Sequence, residues 1–167
     1  MSMITVESSS DISNPLDVVE ELVSANDWTF ERPSEDELLA DVPGRWADYR
    51  LFFLWHEDAS ALQFCCRIEL EVPQRRRAAV NELLSQINER MWLGHYEVSS
   101  EERHPMFRHT SLFRGAPTAS AEQIEDMVEI ALLECERFYP AFDLVIRGGK
   151  TVREAVSAAI LDPIGEA

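Results

Sequence analysis

The stretch LQFCCRIELEV, residues 62–72, alternates without a break: Leu62, Phe64, Cys66, Ile68, Leu70 and Val72 stand against Gln63, Cys65, Arg67, Glu69 and Glu71. In an extended chain successive side chains point to opposite faces, so this segment belongs in a sheet with one dry face and one wet face. A parallel sheet covered on both sides reads instead as a continuous apolar run, so the pattern points to antiparallel pairing. The preceding segment, WADYRLFFLWH at 46–56, departs from it: Tyr49, Leu51, Phe53 and Trp55 share one face, yet Phe52 and Leu54 are apolar on the other. Something must cover that second face, and a second copy of the chain is the simplest cover. The EDAS stretch between the two strands has the length and composition of a hairpin turn.

The remaining periodicities supply the other elements. Asn14 followed by Pro15 reads as an N-cap with proline at the first helical position, and Leu16, Val19, Leu22 and Val23 form one stripe ending near Asn26. Trp28, Phe30 and Arg32 alternate, PSEDE turns the chain, and Leu38–Val42 returns as the second arm of a hairpin closed by Pro43 and Gly44. After Pro73 the spacing of Val80, Leu83, Leu84, Ile87 and Met91 predicts a helix over Arg75–Leu93, stopped by Gly94. HYEVS and MFRHTSLFR read as two further strands. From Ala121 a seam of Ile124, Val128, Ala131, Cys135, Phe138, Phe142 and Val145 stays in phase through Pro140, which predicts a helix that kinks rather than ends, with its aromatics in the core. Thr151 and Glu154 form a capping box for a last helix, Val152–Leu161. The order α-β-β-β-β-α-β-β-α-α is that of an α+β protein, an antiparallel sheet packed by helices. Residues 1–13 are expected to be a disordered tail and 14–167 a single domain.

Charge narrows the partners. Against 15 basic residues stand 31 acidic ones, a formal charge of −16 that repels nucleic-acid phosphates and anionic membranes. The opening MSMITVESSSDIS lacks the parts of a signal peptide, and no apolar run approaches a membrane span, so a cytoplasmic location is expected. The three cysteines show no Cys-x-x-Cys spacing; Cys66 and Cys135 read as buried small hydrophobes and Cys65 as the exposed one. Arg75, Arg76 and Arg77 form the one dense basic cluster and are expected to pair with acids such as Glu69 and Glu71. His56, His95, His104 and His109 are the natural general bases; His95 and His109 could meet on neighbouring strands, but no nucleophile elbow, zinc motif or phosphate loop accompanies them. No cofactor is implied.

Several separate motifs then fall in a recognisable order: NPLDVVEEL, GRWADYRLFFLWH, NERMWLGHYEV, FRHTSLFRG, ERFYPAF, GGKTVREAVSAAI and the closing GEA. In this the chain resembles the YbjN-domain family of bacterial proteins from about Asn14 to Ala167. The resemblance implies a fold similar to class I type III secretion chaperones, a role in sensory transduction regulation, and no catalytic motif. The expected function is a non-enzymatic protein-binding module, chaperone-like or regulatory, acting as a homodimer on an unknown protein partner. A small-molecule sensor is the alternative, and an enzyme using His95 and His109 a more distant one. The candidate dimer or partner surface comprises Phe52, Leu54, Val80, Leu84 and Met91, the last three able to serve as either core or interface.

Overall fold

The computed structural model describes residues 13–116 and 118–161. The first twelve residues of the expected tail therefore lie outside the described residues, as does the closing GEA. Asn14 opens the first helix as the sequence requires: its Oδ1 accepts the Leu16 N–H at 2.9 Å, Pro15 already has helical φ and ψ, and α1 runs Leu16–Ala25. A hairpin follows, β1 (Thr29–Ser34) against β2 (Glu37–Pro43), and then β3 (Asp48–His56) and β4 (Ala61–Ile68). Helix α2 (Arg77–Asn88), strands β5 (His95–Val98) and β6 (Pro105–Leu112), and helices α3 (Ala121–Ile146) and α4 (Val152–Leu161) complete the described chain.

The strands form one antiparallel six-stranded sheet in the order β1-β2-β3-β4-β6-β5. Tyr49, Leu51, Phe53 and Trp55 of β3 and Leu62, Phe64, Cys66 and Ile68 of β4 are buried together with the helix stripes in one hydrophobic cluster. The four helices thus occupy one face of the sheet and leave the other bare among the described residues. At the centre Tyr96 meets Phe107, Phe138 and Phe142 edge-on, with ring centroids 5.5–6.1 Å apart. Its hydroxyl donates to Cys135 Sγ at 3.5 Å, and Cys135 Sγ lies 3.6 Å from Cys66 Sγ. The neighbouring Cys135 thiol and burial together hold the Cys66 thiol well above its usual range, so Cys66 is not set up as a nucleophile.

Helix α3 continues through Pro140 over all 26 of its residues, opened by a capping box between Ser120 and Gln123. Phe138 and Phe142 are core, and Tyr139 receives a hydrogen bond from Arg147 at 3.0 Å. Three expectations need correction. The β4 ladder stops at Ile68, not Val72, because its partners run out: β3 begins at Asp48 and β6 at Pro105, although Leu70 and Val72 stay buried. Helix α2 ends at Asn88, well before Gly94, because the Asn88 amide brackets the Tyr96 backbone, accepting its N–H at 2.7 Å and donating to its carbonyl at 3.0 Å. The arginine cluster does not pair with Glu69 and Glu71. Arg76 instead donates to Val145 O at 2.7 Å near the end of α3, and Arg77 to Val98 O and Ser99 O at 2.7 and 3.1 Å, so the two guanidiniums tie backbone carbonyls together.

Candidate functional site

The bare face of the sheet is assembled by register. One cross-strand row runs Glu31, Leu39, Phe52, Cys65, Arg108, His95 from edge to edge. The row on one side of it runs Asp41, Arg50, Arg67, Met106, Glu97, and the row on the other Glu37, Leu54, Gln63, Thr110. Leu39, Phe52, Leu54 and Met106 are all half-buried, and with Cys65, Arg108 and acids of β5 and the following loop they line a shallow depression of about 600 Å³ that opens to solvent.

Phe52 and Leu54 are thus where the sequence puts them, on the face away from the helices. Part of their cover comes from within the chain. The Arg50 and Arg67 guanidiniums lie 5.9 and 5.3 Å from the Phe52 ring centre, held by Glu31 at 2.8 Å and Glu69 at 2.8 Å respectively. Arg108 is fixed by Glu97 at 2.9 Å, which raises its pKa further. Burial pushes the Cys65 thiol up to about 11, against the opposing pull of Arg108 beside it. The face therefore presents an apolar centre ringed by both signs of charge.

Of the two roles open to the helix residues, Val80 and Leu84 take the core one. Both are buried in the hydrophobic core cluster. Met91 lies beyond the end of α2, partly buried against the core. Leu39 and Met106 belong to the face but are hard to see in the sequence, since Leu39 is flanked on its face by Glu37 and Asp41 and Met106 is followed on its face by Arg108, and only register sets them beside Phe52 and Arg67.

His95 and His109 do not converge on one side of the sheet. His95 pairs in register with Arg108 on the bare face, while His109 pairs with Phe64, whose side chain is core. Burial, and secondarily the charge of His95, lower the His109 pKa. Among the described residues no group of three or more His, Cys, Asp or Glu could hold a metal ion, and no helix is long and apolar enough to cross a membrane.

Fold and surface define an α+β protein whose distinctive feature is an open sheet face rather than a cleft. A family model described as "YbjN: Putative bacterial sensory transduction regulator" matches residues 15–144, and the chain belongs to that family. The chain is also similar to a protein whose solved structure is described as "Crystal structure of YbjN, a putative transcription regulator from E. coli", at 12% identity, covering 88% of this chain and 89% of that one with a TM-score of 0.49. No curated protein matches it.

Proposed function

We propose that the chain is a non-enzymatic, cytoplasmic regulatory module that works by binding protein, and that it does so as a homodimer joined through the bare sheet face. The family description supports the regulatory role. The observation that carries the binding role is the half-buried Leu39, Phe52 and Leu54 at the middle of a sheet, with no layer over them among the described residues. The charge pattern favours a second copy as the cover. The face carries Arg50, Arg67 and Arg108 beside Asp41, Glu102 and Glu97 of the same chain, so its charges are balanced locally and a second copy meets an apolar centre rather than uncompensated acid. A chaperone-like role, in which such a dimer holds a partner's segment, fits the same architecture.

The small-molecule alternative is less well served. Ligand sites bury most of the ligand surface in a concave cavity, whereas this depression is shallow and open along the sheet. Light scattering at micromolar concentration tests the proposal: the parent chain should have twice the monomer mass, and Phe52→Glu should dissociate it while keeping its helical and strand spectrum. A parent that stays monomeric at high concentration refutes the dimer and removes the reason to treat this face as an interface.

A further inference from the structure

On the helical side of the molecule, away from the bare sheet face, α1 and α3 do not close completely over the core. Between them lies a groove of about 470 Å³ floored by Leu22, Trp28, Val128 and Leu132. Leu133 stands on its lip at 54% exposure, one of the few large apolar side chains so exposed among the described residues. The α3 contribution follows one helical face: Glu125, Glu129, Leu132, Leu133 and Glu136 fall at successive turns. Three glutamates line the groove and no lysine, arginine or histidine does. Glu136 has one carboxylate oxygen taken by the Arg45 N–H at 2.8 Å. Glu125 and Glu129 are exposed, and among the described residues neither has an ion-pair partner.

We propose that this groove docks an amphipathic helix of a partner protein, with apolar side chains on one face and lysine or arginine flanking them. An apolar floor with an all-acidic rim is the complement of such a segment. One wall is α3 and the other is Leu22 of α1 with Asn26 and Trp28 just past its end; no strand residue lines the groove, so it suits a helix laid along α3 better than an extended peptide that must pair by its backbone. From Glu125 to Glu136 the rim extends about 16 Å along α3 at about 1.5 Å per residue, room for roughly three turns. A second copy of this chain does not suit the groove, because its charge of −16 would meet an acidic rim. The inference does not rest on the sheet-face dimer and uses different residues.

The test is fluorescence anisotropy with a labelled synthetic helix of about fourteen residues, leucine at helical spacing and lysine and arginine on both flanks. Its twin carries glutamate in place of every lysine and arginine. The basic peptide should bind saturably and more weakly as salt rises, and the acidic twin should not bind. E125K/E129K should weaken binding about tenfold or more, as should Leu133→Asp. E35K/D36K, on the exposed β1–β2 turn, makes the same change in net charge and should leave the affinity within about twofold. Absence of saturable binding, equal binding of both peptides, or equal weakening by the rim and turn variants would each overturn the proposal, the last showing only attraction to an acidic protein.

Discussion

Phe142 is fully buried on α3 and meets Tyr96 edge-on at 5.5 Å, so its truncation leaves a cavity where helix and sheet are joined. Phe142→Ala should destabilise by about 3–5 kcal/mol in denaturant melts; a variant that melts like the parent would take the ring out of the core. Cys65 offers a second residue-level check. With its thiol pushed up to about 11, the thiolate forms only in alkaline solution, so carboxymethylation of Cys65 in the folded protein should keep accelerating above pH 9. An ordinary cysteine, near 8.5, would already be levelling off. Peptide mapping that shows a plateau by about pH 9 would mean the thiol is better solvated than its half-buried place on the sheet implies. Both residues were legible in the sequence by face alone, Phe142 from a helical seam and Cys65 from its place opposite Cys66, although Cys65, expected to be exposed, is half-buried. The shift itself was not legible, because it comes first from burial within the assembled sheet, with Arg108 on β6 opposing it and Glu97 on β5 adding to it.

Pro140 is the residue that least suits its element, yet α3 passes through it and the seam on either side is buried from Cys135 to Val145. A proline that fought its packing would destabilise by about 3 kcal/mol. Pro140→Ala gives back a donor for the Glu136 carbonyl but alters a helix path to which the core is fitted, so the two effects oppose each other. The expected change in denaturant melts lies within about 1.5 kcal/mol; a gain above about 3 kcal/mol would show that the proline is kept against stability. Element order was readable throughout because periods of two and 3.6 are local. Element ends were not. The stop of β4 depends on where β3 and β6 begin, and the stop of α2 depends on Tyr96, eight residues beyond Asn88. The orientation of the α2 stripe was equally hidden, since Val80 and Leu84 look the same in sequence whether they face core or partner. Gly94 shows a real signal attached to the wrong event: it has φ of 65° and a side chain there would strike the Phe107 ring at 2.5 Å, so it shapes entry to β5 rather than ending α2.

For the whole molecule the surplus of acid separates the two proposed surfaces by a single variable. Bringing two copies together opposes charges of −16 on each, a repulsion that acts at long range and is screened as salt shortens the Debye length to about 8 Å at physiological ionic strength. The contacts proposed for the sheet face are centred on Leu39, Phe52 and Leu54, which salt does not weaken, and its arginines already hold partners within the chain. Dimerisation should therefore strengthen as salt rises from about 20 to 200 mM, while docking of a basic helix in the α1–α3 groove should weaken over the same range. Sedimentation equilibrium across a salt series reads the first directly, with Phe52→Glu as the dissociated reference. A dimer that loosens with added salt would be held by exchanged Arg–Glu pairs, and the apolar centre of the sheet face would then not be what joins the copies.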